Sequence, residues 1–114
     1  MSDCIFCQIA ARKVPARIVH EDADLVAFED LNPQAPLHVL IIPRIHRATS
    51  LDLVPADDPI VGGLFRVAAS IAAARGVAAD GFRLVVNTNA LAGQSVYHLH
   101  VHLLGGRAFR WPPG

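Results

Sequence analysis

Hydrophobic and polar residues alternate most regularly in the segment of residues 98–104, where histidines occupy every second position from His98 to His102. Successive side chains of a strand point to opposite faces of a sheet. A strand here would therefore place His98, His100 and His102 on one face, about 6–7 Å apart. The apolar residues between them would pack into the core. The pattern predicts a strand over about residues 97–104 with chemistry on one face.

Four other segments have strand-like patterns. Residues 17–20 and 24–30 flank the acidic turn of residues 21–23, which is typical of a β-hairpin. Residues 38–43 follow a proline-rich break and are too apolar for a strand with one face in water, so we expect them at the centre of the sheet. Residues 82–87 predict the remaining strand.

Two segments predict helices. Asp58 precedes Pro59, as an N-cap precedes a proline in the first helical turn, and apolar residues then recur at helical spacing as far as Gly76. Residues 5–11 predict a short N-terminal helix. Together the segments predict an α+β fold, with a largely antiparallel sheet of about five strands and one long helix.

Length and composition indicate how many domains the chain forms and which kinds of partner it attracts. The 114 residues fit one domain, residues 1–114, and the hydrophobic share of 53% predicts a compact globule with apolar surface left for an interface. Ten basic and ten acidic residues balance, so no basic field would attract nucleic acid or an anionic membrane. Neither a signal sequence nor a spanning segment is recognisable, so we expect a cytoplasmic protein.

The three alternating histidines need an explanation, because burying imidazoles costs desolvation unless each ring finds a partner. A purification tag would be a contiguous terminal run, which this is not. One alternative is a metal site, since neutral imidazole is a common ligand. The other is phosphoryl transfer, in which one imidazole attacks phosphorus and its neighbours donate hydrogen bonds to phosphate oxygens. Spacing alone leaves both open.

The two cysteines of the chain are Cys4 and Cys7. A disulfide across so short a loop would stabilise the domain little, which favours a reducing compartment. Thiolates at this spacing can supply half of a tetrahedral zinc site, with His46 and one further histidine completing it. A pair of small buried thiols is the alternative.

Several segments together resemble the histidine triad (HIT) superfamily and, within it, the Hint branch. They are residues 32–38, residues 85–87, the block from Gly93 to His102 and the terminal residues 111–114. The resemblance runs from Cys4 to Gly114. It implies a HIT-like fold and a nucleotide-binding hydrolase that cleaves phosphorus–nitrogen bonds in purine nucleoside 5'-phosphoramidates, works as a homodimer and needs no catalytic metal.

The resemblance also implies roles for individual residues. His100 would attack the α-phosphorus and form a covalent nucleotidyl-histidine, with the His98 carbonyl accepting a hydrogen bond from its other ring nitrogen. His102 and His38 would donate to phosphate oxygens, and Ser95 would give a proton to the departing amine.

Other positions match the family's nucleotide site. Asp30 would accept hydrogen bonds from both ribose hydroxyls, and Asn87 would contact ribose or phosphate. The base would lie between apolar side chains that could equally be ordinary core, namely Ile5, Phe6, Ile9, Phe28 and Leu31. The phosphate would meet the loop of Gly93, Gln94 and Ser95.

Two further implications concern zinc and the C-terminal tail. Some triad proteins with a similar N-terminal Cys-x-x-Cys sequence resemble zinc-binding proteins. A structural zinc ion here would use Cys4, Cys7, His46 and His98. The tail that begins at Trp111 cannot continue a ladder, because its prolines lack N–H donors, so we expect it to lie as an arm on a partner subunit. The resemblance implies that this arm lies near the partner's active site and that Trp111 is one of the nucleotide-binding residues.

Two other functions stay open at this level. One is a dinucleoside polyphosphate hydrolase of the Fhit type. Residues 95–97 and the terminal tail resemble the Hint branch instead, which makes this function the less favoured one. The other is a nucleotide-responsive module that binds a partner protein. Residues 88–92 are more apolar than the branch leads us to expect, which leaves the leaving-group preference open.

Overall fold

The computed structural model describes residues 3–114, which form two α-helices, five strands and three short 3-10 helices. The strands are β1 (Ile18–Glu21), β2 (Leu25–Glu29), β3 (Leu37–Pro43), β4 (Phe82–Val85) and β5 (Val101–Gly105). The α-helices are α1 (Ile5–Ala10) and α2 (Asp58–Ala74). Within this described part of the chain, no helix is long and apolar enough to cross a membrane.

The strands form one antiparallel sheet in the order β1-β2-β3-β5-β4. All seven residues of β3 are buried, which confirms the prediction that this apolar segment is central. The α+β class, the five strands, the long helix and the short N-terminal helix are all as the sequence predicts.

The two helices cover opposite faces of the sheet. Helix α2 packs Leu64, Val67 and Ile71 against β2, β3 and β5, where Leu103 is fully buried. Helix α1 packs Phe6 and its neighbours against the other face of β2 and β3. The second face is only partly covered, and the remaining area carries the polar groups of the site described below.

The histidine segment differs from the prediction. Strand β5 begins at Val101, so His98 and His100 precede it instead of lying within it. The register of β3 with β5 would place residue 99 opposite Pro43, which has no N–H to donate, and the N–H of Leu99 instead donates to the Arg47 carbonyl at 2.7 Å. The apolar side chains between the histidines do pack under α2, as predicted.

The start of α2 also differs. The N-cap is Asp57, not Asp58, and Asp57 makes no capping hydrogen bond with its side chain. Its carboxylate instead accepts from Nε and a terminal nitrogen of Arg47, at 2.8 and 3.0 Å. This bidentate pair holds the loop after β3 against the start of α2.

Strand β5 ends where the backbone must turn sharply. Gly106 has φ +91°, and a Cβ atom built there would lie 2.9 Å from Cβ of Pro36. Glycine meets both demands because it has no side chain. The chain then returns alongside residues 34–36, where Nε of Arg107 donates to the Gln34 carbonyl at 3.0 Å.

Candidate active site

Two histidine rings form the centre of the site, on the sheet face opposite α2. The ring centroids of His100 and His102 lie 5.0 Å apart, and the edge of Phe6 contacts His100 with centroids 5.1 Å apart. His100 is 7% exposed. Helix α1 therefore supplies an apolar wall on one side of these rings.

The tautomer of His100 is set by a backbone carbonyl. Nδ1 of His100 lies 2.7 Å from the carbonyl oxygen of His98. A carbonyl only accepts, so Nδ1 must carry the proton, and in the neutral ring Nε2 keeps its lone pair. This is the contact that the sequence analysis anticipates. It leaves Nε2 as an available nucleophile.

A second chain of hydrogen bonds sets the tautomer of His102. The Gln34 backbone N–H donates to Nδ1 of His38 at 3.0 Å, so His38 carries its proton on Nε2. That nitrogen lies 2.9 Å from Nδ1 of His102 and donates to it. His102 in turn carries its proton on Nε2, where it can donate to a ligand. The arrangement differs from the expected role of His38, because its Nε2 proton is directed at His102 and not at a phosphate.

Burial keeps these rings neutral. The pKa of His102 falls to about 4, first because burial disfavours the charged ring and then because His100 and His38 lie close by. Burial also lowers the pKa of His38, against the opposing effect of Asp30, whose Oδ2 lies 3.4 Å from Nε2. Near neutral pH both rings can donate one hydrogen bond and accept another.

A cavity of about 290 Å³ opens beside His100 and His102. It is lined by all five residues expected around the base, namely Ile5, Phe6, Ile9, Phe28 and Leu31, and also by Asp30 and Ser95. Leu31 lies at its rim and is 97% exposed. Oδ1 of Asp30 accepts from the Asn32 N–H at 2.8 Å, which holds its carboxylate at the cavity wall. We call this space the nucleoside cavity.

A larger cavity of about 550 Å³ lies on the other side of His102. Asn87 lies there and not in the nucleoside cavity, together with Arg83, Arg107 and Phe109, which the sequence analysis missed. The sequence held one signal for the position of Arg83. Side chains two residues apart on a strand share a face, so Arg83 must lie on the same face as Val85. The tail that follows Arg107 could not be placed from its pattern. We call this space the arginine cavity.

The loop before the histidines is braced internally. Gly93 has φ +87°, a left-handed conformation that suits glycine, and its N–H donates to the Ala90 carbonyl at 3.0 Å. The side chain of Gln94 accepts from the Asn89 N–H and donates to two carbonyls, those of Ala48 and Val96. Gly93 and Gln94 thus shape the loop here, and contact between this loop and a phosphate stays a prediction.

Trp111 lines neither cavity, although it was expected to contact the nucleotide. Its side chain is 83% exposed, while the prolines that follow it lie at the wall of the arginine cavity. A large exposed aromatic beside a cavity is the kind of surface that a second chain would cover.

Four side chains outside both cavities form a cluster, and one of them belongs to His98, whose carbonyl holds His100. Cys4, Cys7, His46 and His98 place one potential ligand atom each within 4.8 Å of one another. Nδ1 of His98 lies 3.3 Å from Sγ of Cys4, 3.4 Å from Sγ of Cys7 and 3.1 Å from Nδ1 of His46. In a tetrahedral zinc site with the usual bond lengths, neighbouring ligand atoms lie about 3.3–3.8 Å apart, with the two sulfurs furthest from each other. The cluster could therefore hold a metal ion.

His98 joins this cluster to His100. Its Nε2 donates to the Pro43 carbonyl at 2.8 Å, so Nδ1 turns its lone pair towards the cysteines. The ring is fully buried, and burial lowers its pKa, which favours the neutral ligand form. The carbonyl of the same residue holds His100. His98 thus faces the cluster with its ring and the active site with its backbone.

Known proteins with similar sequences identify the family of this chain. The model for the HIT domain matches residues 11–109. A purine nucleoside phosphoramidase of Escherichia coli (strain K12) is 48% identical over 105 residues, which are 92% of this chain and 88% of the relative. A 14 kDa zinc-binding protein of Zea mays is 45% identical over 116 residues, covering 99% of this chain and 89% of the relative.

A solved structure extends the likeness to the whole fold. The crystal structure of a HIT family hydrolase from Legionella pneumophila Philadelphia 1 matches with a TM-score of 0.96 and 47% identity, over 98% of this chain and 100% of that one. With the family match over most of its length and relatives of this similarity, the chain belongs to the HIT domain family.

Proposed function

We propose that this protein is a hydrolase that cleaves the phosphorus–nitrogen bond of purine nucleoside 5'-phosphoramidates. One observation carries the proposal: the His98 carbonyl holds Nδ1 of His100, so that Nε2 is unprotonated beside an apolar cavity of nucleoside size. The purine nucleoside phosphoramidase of E. coli, at 48% identity, supports the choice of substrate class.

The first chemical step forms a bond from Nε2 of His100 to the α-phosphorus. As this bond forms, the phosphorus–nitrogen bond of the substrate breaks, and its electron pair leaves with the amine nitrogen. The amine takes up a proton through Ser95, which lies at the wall of the nucleoside cavity and regains a proton from solvent. Nε2–H of His102 donates to a phosphate oxygen as charge shifts onto it.

In the second step water attacks the same phosphorus. The bond to His100 breaks, its electron pair returns to Nε2, and the proton lost by the water passes to solvent. The products are a nucleoside 5'-monophosphate and the neutral enzyme. Asp30 would accept hydrogen bonds from the ribose hydroxyls, and Asn87 would contact ribose or phosphate from the opposite side.

The test compares release of amine from an adenosine 5'-phosphoramidate by the wild-type protein and by His100→Ala. We expect the variant to lose at least about a thousandfold in kcat, because the nucleophile itself is gone. His20→Ala, which removes a histidine in β1 outside both cavities, is the matched control and should keep the wild-type rate.

Diadenosine polyphosphates provide the second arm of this test. Turnover of these compounds without turnover of the phosphoramidate would identify a polyphosphate hydrolase and overturn the proposal. Tight nucleotide binding with no turnover of either class would point to a binding module.

We further propose that Cys4, Cys7, His46 and His98 hold a structural zinc ion. Two thiolates and two neutral imidazoles are a typical ligand set for structural zinc, and their spacing in this protein fits it. The zinc-binding protein of Zea mays supports the assignment. The ion would fix α1 and the segment before β5 and would take no part in the chemical steps.

We also propose that two copies of the chain form a homodimer through β4. This strand lies at the edge of the sheet, and Phe65 and Val86 beside it are 55% and 42% exposed. Both line one shallow apolar cleft between α2 and the segment that follows β4. An edge strand flanked by exposed apolar side chains is a surface suited to a second copy. The tail at Trp111 would lie on the partner.

A further inference from the structure

We infer that Arg47 is a positioning residue for His100 and acts through the peptide group between His98 and Leu99. The inference rests on the proposed function, because it makes Arg47 a support of the group that attacks phosphorus. Arg47 lines neither the nucleoside cavity nor the arginine cavity, so it would not touch a substrate bound there. Its effect on the reaction would come through the placement of His100.

The peptide group between His98 and Leu99 is held at both ends. Its carbonyl accepts from Nδ1 of His100 at 2.7 Å, and its N–H donates to the Arg47 carbonyl, also at 2.7 Å. The C=O and the N–H belong to one rigid plane, so neither group can turn without the other. The position of the Arg47 carbonyl therefore sets the direction in which the His98 carbonyl points.

The two hydrogen bonds of this peptide group also strengthen each other. An amide whose N–H donates is more strongly polarised, which makes its carbonyl a better acceptor. A stronger acceptor holds the proton on Nδ1 of His100 more firmly and so keeps the lone pair on Nε2. The Arg47 carbonyl thus supports both the direction and the tautomer of the His100 ring.

The sheet itself does not provide this support. The register of β3 with β5 would place Leu99 opposite Pro43, which has no N–H. The Pro43 carbonyl accepts from Nε2 of His98 at 2.8 Å. Leu99 is buried, so its N–H needs an acceptor within the protein. The loop after β3 supplies that acceptor through Arg47.

The side chain of Arg47 fixes the loop that carries its carbonyl. Nε and a terminal nitrogen of Arg47 donate to the two carboxylate oxygens of Asp57, at 2.8 and 3.0 Å. Asp57 is the N-cap of α2 and is 4% exposed, and one of its oxygens also accepts from the Val54 N–H. A bidentate, charge-assisted pair fixes the direction of a guanidinium as well as its distance. The start of α2 is thereby linked to His100.

The test compares Arg47→Met with Arg44→Met. Arg44 lies in the same loop and also makes several hydrogen bonds, but these go to Ala10, Glu21 and Asp22. We expect Arg47→Met to lower kcat for an adenosine 5'-phosphoramidate about tenfold and to leave KM unchanged, since the nucleophile loses alignment while the cavity walls stay in place. Arg44→Met is the matched control and should keep the wild-type kcat.

NMR of the histidine ring nitrogens gives a readout that does not depend on activity. Wild-type His100 should show a single tautomer with a slowly exchanging proton on Nδ1, and Arg44→Met should give the same signal. Arg47→Met should show faster exchange and a mixture of the two tautomers. Arg47→Lys, which can keep one hydrogen bond to Asp57, should recover part of the rate and part of the signal.

Asp57→Asn is a second variant that keeps the inference testable if Arg47→Met folds poorly. Loss of Arg47 leaves a buried carboxylate without its partner, whereas an asparagine keeps the shape and one acceptor oxygen. Asp57→Asn should therefore give a smaller loss of kcat in the same direction. Zinc content is measured on every sample, because Arg47 directly follows His46.

Unchanged kcat and an unchanged His100 signal in Arg47→Met would overturn the inference and leave the proposed function intact. An equal loss of kcat in Arg44→Met would assign the effect to the loop as a whole, and a rate restored by added zinc would assign it to the metal cluster. Either result also overturns the inference. If the wild-type protein cleaves no phosphoramidate, the proposed function fails, while the NMR comparison still decides whether Arg47 holds His100.

Discussion

Each of the four histidines at the candidate site has its tautomer set by a hydrogen bond at one of its ring nitrogens. The His98 carbonyl fixes His100, and the Pro43 carbonyl fixes His98. The Gln34 N–H fixes His38, which in turn fixes His102. Identical side chains thereby become a candidate nucleophile, hydrogen-bond donors and a candidate metal ligand.

The lowered pKa of His102 predicts how stability depends on pH. The folded protein keeps His102 neutral down to about pH 4, whereas in the unfolded chain its pKa returns to its ordinary value of 6.5. Between these values the unfolded state binds a proton that the folded state excludes, so the free energy of unfolding falls as pH falls. The maximum slope from this one group is about 1.4 kcal/mol per pH unit.

Urea denaturation between those pH values measures the effect. His102→Gln should flatten the dependence by up to that slope. Parallel curves for the wild type and His102→Gln would mean that burial does not hold the ring neutral.

At the scale of elements, α1 and the segment before β5 depend on each other. Cys4 is the N-cap of α1, and Cys7 lies in its first turn, so both thiols reach the His98 ring from one helix end. The His98 carbonyl then holds His100. A metal ion at the cluster would therefore stabilise the backbone that holds His100.

Replacing both Cys4 and Cys7 with serine should abolish metal binding, since hard hydroxyls are poor zinc ligands. Zinc content should fall from about one ion per chain to none, and Tm should fall with it. We expect kcat to decrease more than KM increases, because the loosened group is the proposed nucleophile His100 and not the wall of the nucleoside cavity.

Atomic absorption on protein purified without chelator gives the zinc content, and calorimetry gives Tm. Ser95→Ala, at the wall of the nucleoside cavity and outside the cluster, should retain the zinc and serves as the control for content. Wild-type protein without zinc, at full activity and unchanged Tm after zinc addition, would contradict the prediction.

At the scale of the whole molecule, one sheet face carries the two cavities side by side, while the edge at β4 remains open. The exposed apolar cleft of Phe65 and Val86 lies next to that edge. The arginine cavity is close to the same edge, since Arg83 belongs to β4. Dimerisation through β4 would bring a partner's surface near the arginine cavity.

Light scattering should give the wild-type protein twice the chain mass of 12.2 kDa. Phe65→Glu should shift the mass towards a single chain, because a charge buried in an apolar interface is costly. Leu31→Glu, at the rim of the nucleoside cavity, adds the same charge and should leave the mass unchanged. A wild-type mass of one chain would overturn the dimer.

The sequence by itself determined the strands, the central position of β3 and the long helix, because each follows from a local period of apolar side chains. It also identified part of the lining of the nucleoside cavity and the four potential metal ligands, from the spacing of the cysteines and the family resemblance. The order and spacing of these residues along the chain were enough to predict them.

Only the tertiary structure decided what those residues do to one another. Pro43 ends the pairing that would have kept His98 in a strand, and Gln34 turns His38 towards His102. The turn at Gly106 brings Arg107 and the tail beside Arg83. Each of these depends on contacts between residues far apart in the chain, for which a local pattern has no signal, since periodicity records which face is buried and not what lies against it.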